Sequence, residues 1–248
     1  MDIKRKDIID IKGKSITIIG LARSGVAAAK LAHELGSKVF ISDISDSPEV
    51  HDALKTLMER DITGETGGHS EKIYNADLWV ISPGVPKDAD IIQHAQAKNI
   101  PVISEIEFAS WFTMAPIVAV TGSNGKTTTV HMLNEMYQSD DIEPILSGNV
   151  GNPFSDCVRH DLSKPNPKRV HVLEISSFQM EFIQHFKPYI SLFLNLSPDH
   201  LNRYKDMDDY VSAKMNMWSN QTQDDFLVFN ADDDLLAKRI VSANAKKI

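Results

Sequence analysis

The sequence predicts an α/β protein of two domains, each a mostly parallel sheet flanked by helices. Three observations carry this. Short β-branched runs alternate with segments of helical periodicity, the layout of strand–helix–strand units. Two of those runs, Ser15-Ile-Thr-Ile-Ile19 and Ile117-Val-Ala-Val120, lead straight into a glycine turn and then a helix-compatible segment. Between the two patterns lies Thr113-Met-Ala-Pro116, which divides the chain into residues 1–114 and residues 115–248.

Composition narrows the class. The 248 residues suffice for two domains with ample cores, and 42% hydrophobic with 24% charged residues is ordinary for a water-soluble chain. A net charge of −8 excludes a general nucleic-acid-binding surface, which needs a basic face. The single cysteine, Cys157, rules out an internal disulfide framework, fits a reducing cytoplasm and reads as a small buried side chain. Met1-Asp-Ile-Lys-Arg-Lys-Asp7 has no apolar signal-peptide core behind it. No apolar run approaches the roughly 20 residues of a bilayer span, so no membrane insertion is expected. The expected location is the cytoplasm.

In the first domain Ser15–Ile19 reads as a buried strand, Val26–Leu35 as an alanine-rich helix stopped by Gly36, and Lys38–Ser42 as a second strand ending at Asp43. This is a Rossmann-like opening. Gly20 and Gly25 match the outer glycines of G-x-G-x-x-G, while Ala22 holds the middle place, where its methyl would crowd a pyrophosphate. Asp43 follows Gly20 by about 20 residues, the place of an acid that meets a ribose or base edge; a solvated strand-end acid is the lesser alternative. Pro48–Arg60 is helix-compatible and Thr63–Ser70 reads as a loop. Leu78–Ser82 is a strand closed by Ser82-Pro-Gly-Val-Pro86, a turn on the ligand-facing edge of an open sheet. Asp88–Lys98 reads as a helix, Ile100–Ile103 as a strand, and Ser104–Phe112 as a helix capped by Ser104.

The second domain opens on Gly122-Ser-Asn-Gly-Lys-Thr-Thr128. Strand, glycine turn and helix is how backbone N–H groups and a helix N-terminus wrap a phosphate chain. Gly122, Ser123, Asn124, Gly125 and Thr128 would supply that cradle, Lys126 would reach the outer phosphates, and the Thr127 hydroxyl would sit on Mg²⁺. The spacing is shorter than G-x-x-x-x-G-K-[ST], since Val120 stands six before Lys126. Apolar Val130, Leu133, Met136 and Tyr137 continue the helix. Gly148-Asn-Val-Gly-Asn152 is a tight turn able to offer N–H groups to an anion, or simply a turn. Arg169–Leu173 is a strand ending at Glu174, and a carboxylate there is what a phosphate loop needs for its metal. Tyr189–Leu194 is a strand followed by a turn bearing His200, open between a surface and a site role. Asp208–Trp218 reads as a helix on which Lys214 is, by residue physics alone, solvated. Phe226–Phe229 and a final helix complete the chain.

Five motifs in order then resemble the Mur ligases, ATP-dependent amide-forming enzymes of peptidoglycan precursor synthesis and so of the cell wall. They are T-G-S-N-G-K-T-T-T (Thr121–Thr129), G-N-V-G (Gly148–Gly151), L-E-I-S-S-F-Q (Leu173–Gln179), N-L-S-P-D-H-L-N-R-Y (Asn195–Tyr204) and Y-V-S-A-K (Tyr210–Lys214). Within the family the Gly20–Gly25 loop, Ser82-Pro-Gly84 and Ser176-Ser-Phe-Gln179 look most like the branch that adds D-glutamate to UDP-N-acetylmuramoyl-L-alanine. The resemblance implies a first domain that holds the UDP substrate through Arg23, Ser24, Asp43, Ser82, Gly84 and, from the second domain, Asn149. It implies a P-loop-type ATPase domain binding ATP at Lys126, with Thr127, Glu174, His200 and a carbamylated Lys214 at Mg²⁺. Catalytic roles fall to Lys126, His200 and Lys214, in a monomeric enzyme.

Departures accompany it. Ala22 replaces a glycine, Asn202 stands where the family commonly has Asp, and Ile44-Ser45 lack the basic residue often found after the acid. Family members continue through the rest of the central domain and a third domain, so the expectation is an apparently truncated protein that is inactive alone. The alternatives are another Mur ligase or a folylpolyglutamate synthase, the latter disfavoured by Ser82-Pro-Gly84 and the dinucleotide-like first domain. A non-catalytic UDP-sugar or nucleotide-binding fragment stays open. An NAD-dependent oxidoreductase built on Gly20–Gly25 would leave Gly122–Thr127 unexplained.

Overall fold

The computed structural model describes residues 9–138, 141–199 and 203–248. They form two compact units: one comprises the chain up to Thr113 together with Pro153–Leu162, the other Met114–Asn152 and Ser163–Ile248.

The first unit opens with strand β1 (Ser15–Ile19), helix α1 (Arg23–Glu34), β2 (Lys38–Ser42), α2 (Pro48–Met58) and β3 (Thr63–Glu65). It continues with β4 (Leu78–Ile81), α3 (Asp90–Ala97), β5 (Val102–Ser104) and α4 (Glu105–Ser110). The sheet runs β3-β2-β1-β4-β5, every pair parallel. Parallel strands are covered on both faces, which is why β4 reads Leu-Trp-Val-Ile and is buried throughout. Helix α1 buries Ala27, Ala28, Ala29, Leu31 and Ala32 completely, and small side chains let it lie close on the sheet. The expected Ser104 cap forms, its Oγ accepting from Glu107 N at 3.3 Å. The strand order reverses at β1, so the crevice outside its carboxyl end, between β2 and β4, is where an open α/β sheet holds a ligand.

Three differences from the sequence reading have physical causes. Helix α1 starts at Arg23 rather than Val26, because a helix can begin directly after the extended Ala22. The loop expected over Thr63–Ser70 contains β3, a three-residue edge strand whose Thr-Gly-Glu has little intrinsic strand preference and is ordered by pairing with β2. Strand β5 is displaced to Val102–Ser104, since Pro101 lacks the N–H a ladder needs.

The second unit begins with β6 (Ile117–Thr121), α5 (Lys126–Tyr137) and β7 (Glu143–Gly148). The chain then gives α6 (Phe154–Ser163), most of which clusters with the first unit although the division at residue 115 places it with the second. At its start the fully buried Glu105 accepts from Ser155 N at 2.6 Å. Burial lifts the Glu105 carboxyl to about 7 against the pull of the Ser155 hydrogen bonds, with the Asp156 charge adding to the rise. The second unit resumes with β8 (Arg169–Glu174), β9 (Ile190–Phe193), α7 (Met207–Met215), β10 (Phe226–Phe229), α8 (Asp234–Arg239) and β11 (Lys246–Lys247). Its sheet runs β11-β10-β9-β6-β8-β7, again all parallel. Val120, Val130 and Val172 form the core under α5, with Leu133, Tyr137 and Leu146 packed around them.

The helix read over Asp208–Trp218 is α7 followed by a tighter turn at Asn216–Trp218. The final helix read to the end of the chain stops at Arg239, after which a short turn leads into β11. No helix among the described residues is long and apolar enough to cross a membrane.

Candidate functional site

In the second unit β6 delivers the glycine loop at its carboxyl end, between β8 and β9. Gly125 is left-handed at φ 82° and α5 begins at the next residue, Lys126. The loop is fastened to the segment that leaves β9. Ser123 N donates to Asn195 O (3.1 Å) and Asn124 N to Asn195 Oδ1 (2.9 Å), while Asn195 Nδ2 donates back to Asn124 O (3.1 Å). Ser123 Oγ donates to Ser197 O (2.9 Å), accepts from Ser197 N (2.9 Å) and lies 3.0 Å from Tyr210 OH. Nothing in residue type alone distinguished Asn195, Ser197 and Tyr210 as supports of the loop. Their signal was position, after a strand neighbouring β6 and one turn before Lys214.

Two lysines converge on this loop. Lys126 Nζ donates to Gly122 O and Ser123 O, each at 2.8 Å, and Lys214 Nζ donates to Gly122 O at 2.9 Å. Lys214 is buried, which corrects the solvated reading that residue physics alone gave it: α7 carries it inward under the loop, over the Tyr210 ring at 4.9 Å. Burial, joined by the Lys126 charge, pushes its ammonium down to about 7, with Asp199 opposing.

The carboxylate expected at the end of β8 is also in place. Glu174 is buried, with Oε2 accepting from Thr127 Oγ1 and Oε1 from Asn149 Nδ2, both at 2.7 Å. Asn149 N donates to Glu174 O at 2.8 Å. The turn before Asn149 must be glycine, because a Cβ on Gly148 (φ 99°) would lie 2.3 Å from Glu174 O. Lys126, Thr127, Glu174, Asn149 and Lys214 are therefore brought to one end of one sheet. Thr128 is exposed on the first turn of α5. His200 and Asn202 lie outside the described residues. Among those described, no group of three or more His, Cys, Asp or Glu side chains could hold a metal ion.

In the first unit the loop after β1 is built by close approach. A Cβ on Gly25 would lie 1.8 Å from Gly20 O and 2.9 Å from Ser82 Oγ, so α1 meets the loop and the end of β4 only because Gly25 has no side chain. Ser82 Oγ lies 3.3 Å from Gly20 O and 3.4 Å from Ser24 Oγ. Asp43 accepts from Leu21 N at 2.6 Å and from Ser45 N at 2.8 Å, tying the end of β2 to that loop. Ser24, Asp43 and Ser82 thus share the crevice at the switch point; Ala22, Arg23 and Gly84 are exposed along the same loops.

Comparison with known proteins fits this geometry. A model of the Mur ligase MurD-like N-terminal domain matches residues 14–104, and one of the Mur ligase middle domain matches residues 120–248. A UDP-N-acetylmuramoylalanine–D-glutamate ligase of Geotalea daltonii is 43% identical over 230 residues, 92% of this chain and 50% of that protein. The ligase of the same description from Koribacter versatilis is 39% identical over 238 residues, 94% of this chain and 52% of that one. The chain spans about half the length of these curated relatives. Among solved structures, the UDP-N-acetylmuramate:L-alanyl-gamma-D-glutamyl-meso-diaminopimelate ligase from Neisseria meningitides superposes with a TM-score of 0.62 at 20% identity, covering 95% of this chain and 78% of that one. A murein peptide ligase from Psychrobacter arcticus gives 0.58 at 19% identity, covering 95% and 53%. These two establish a shared fold. With the middle-domain model covering more than half of its residues, the chain belongs to the Mur ligase family.

Proposed function

We propose that this chain carries the UDP-substrate and ATP-binding parts of a ligase that joins D-glutamate to UDP-N-acetylmuramoyl-L-alanine in the cytoplasm, as a monomer. The observation that carries the reading is the convergence of Lys126, Lys214, Thr127 and Glu174 on the Gly122–Gly125 loop. Two amines, a hydroxyl and a carboxylate around a phosphate loop suit a reaction in which two anions must meet.

In that reaction a substrate carboxylate oxygen takes the γ-phosphoryl group of ATP, the bond to ADP breaks, and an acyl phosphate forms. The D-glutamate amine then attacks the carbonyl carbon, inorganic phosphate leaves with the bonding pair, and the amine proton passes to a base. Lys126 turns from the loop carbonyls to the triphosphate and screens its repulsion from the carboxylate, and backbone N–H groups of Gly122–Thr127 orient the phosphates. Thr127 Oγ1 and Glu174 Oε2 offer the hard oxygen donors that fit Mg²⁺. Thr127, Glu174, His200 and Lys214 would hold that ion, which neutralises charge on the transferring group. As an amine Lys214 does not fit a cation; as a carbamate, formed when its nitrogen attacks CO₂ and loses a proton, it does. Its burial and depressed basicity favour that attack. Arg23 and Ser24 at the start of α1 would face the diphosphate, Asp43 the uracil, and Ser82 and Gly84 the rest of the sugar nucleotide.

The test is to incubate the 248-residue chain, and a version extended to the relatives' full length, with ATP, Mg²⁺, UDP-N-acetylmuramoyl-L-alanine and D-glutamate. Amide product and ADP from the extended protein support the reading, and their absence refutes it. The chain alone is expected to bind UDP substrate without turnover.

A further inference from the structure

The glycine loop of the second unit is braced by a side chain to which the reading above gives no role. Asn195 accepts from Asn124 N at Oδ1 (2.9 Å) and donates from Nδ2 to Asn124 O (3.1 Å), while its main-chain oxygen accepts from Ser123 N (3.1 Å). One amide thus meets both backbone groups of one loop residue. Turned over, it would set NH₂ against N–H and oxygen against oxygen, so only this orientation pairs both. The Asn124 side chain is held as well, its Nδ2 donating to Ser197 Oγ at 3.2 Å.

The brace is itself anchored on both sides. Leu194 N donates to Thr121 O at 3.0 Å and Leu196 N to Asp233 Oδ2 at 2.7 Å. Asp233 is also the cap of α8, its Oδ1 accepting from Leu236 N at 3.0 Å. The loop is the soft partner, since Gly122 and Gly125 leave its backbone free to take many shapes. With Ser123 N and Asn124 N taken, the N–H groups left for a ligand are those of Gly125, Lys126, Thr127 and Thr128. None of these four has an acceptor among the described residues.

We propose that Asn195 is a positioning residue for the nucleotide, holding the glycine loop in the shape that offers those four N–H groups together to the phosphates. The proposal rests on the reading of this loop as the ATP site, and it narrows the cradle to Gly125–Thr128. Asn195 acts through Asn124 and touches no reacting atom. Its effect is to order the loop before ATP arrives, so that ATP affinity is not spent on ordering it.

Two measurements test this. In the 248-residue chain, amide hydrogen exchange at Asn124 should rise about 5-fold in Asn195→Ala, the worth of one hydrogen bond. Exchange at Ser123 should rise less, because its acceptor is a main-chain oxygen that the substitution keeps. Asn195→Asp retains an acceptor for Asn124 N and should leave that amide slow. In the version extended to the relatives' full length, Asn195→Ala should raise KM for ATP about 10-fold, the worth of two exposed bonds, with kcat within about 2-fold. An unchanged KM, or a fall in kcat with KM unmoved as loss of folded enzyme would give, would overturn the role of Asn195. So would an equal rise in exchange at Ser123 and Asn124, or a fast Asn124 amide in folded Asn195→Asp. A wild-type extended enzyme that consumes no ATP, with Asn124 still slow to exchange, would instead overturn the ATP reading of the loop.

Discussion

The two glycine loops have the same scaffold and different chemistry. Each leaves the carboxyl end of the central strand of a parallel sheet and enters a twelve-residue helix, α1 in one unit and α5 in the other. The loop of the first unit is closed by contact: Gly25 meets Gly20 and Ser82, and Asp43 takes the Leu21 N–H. The loop of the second unit is held by side-chain hydrogen bonds from Asn195 and Ser197 and carries two amines on one carbonyl. Under the proposed function each loop faces an anion, and the residues around each decide what is done with it. The first can hold a diphosphate passively. The second has the charge needed to change one.

The comparison is most directly broken at Gly25. Ala at this position puts a methyl carbon 1.8 Å from a backbone oxygen, so the start of α1 must move away from β4. Overpacking against side chains costs about 1–3 kcal/mol, and a backbone obstacle that cannot rotate away puts Gly25→Ala above that range. The first unit's thermal transition should fall accordingly, with UDP affinity lost, while the second unit's transition stays in place.

Next in size is the charge on the other loop. Lys126→Ala in the extended enzyme should lower turnover roughly 10²-fold or more, the cost of removing one preorganised donor to developing charge. ADP release measures it. An active variant would sink the assignment of the loop to phosphoryl transfer, whereas an inactive one with intact UDP binding would confirm that the two loops work independently.

Much of this contrast was legible in the sequence, and the rest was not for identifiable reasons. Gly122–Thr127 and Glu174 could be read because strand, turn and helix each leave a local signature. Lys214 could be read only through the family resemblance, since a lysine on a helix of weak amphipathicity looks solvated until the helix is seen to turn it beneath Gly122. Strand β3 was missed because Thr-Gly-Glu is ordered by its neighbour rather than by its own preference. Helix α6 went unread because its place is fixed by a long-range contact, Glu105 to Ser155.

That contact gives a pH test of the first unit. The folded carboxyl of Glu105 sits near 7 against an ordinary 4.5, so between those values the unfolded chain releases a proton that the folded one keeps. Its contribution to stability is present in full below pH 4.5 and is lost as pH rises through 7, at up to about 1 kcal/mol per unit. Glu105→Gln keeps an acceptor for Ser155 N and has nothing to ionise. Denaturation series at pH 5, 6 and 7 should show the variant gaining on the wild type as pH rises; parallel curves would mean that Glu105 is ionised in the fold.

The smallest expected effect falls on the hydroxyl that ties the second loop together. If Ser123 donates its one proton to Ser197 O, it must accept from both Ser197 N and Tyr210 OH. Burial raises the Tyr210 phenol against the pull of its Ser123 bond, so it stays protonated and available as that donor. Ser123→Ala removes three bonds, each worth about 1 kcal/mol where water does not replace it, but leaves Asn195 bracing Asn124, so the fall in the second unit's stability should lie between the worth of one bond and of three. The first unit's loop is tied by its own Asp43 and Ser82, so its transition should not move. ATP affinity should fall with that loss if the hydroxyl network presets the loop for phosphate. A variant destabilised to this extent that binds ATP undiminished would show that Lys126 and the backbone N–H groups shape the cradle without it.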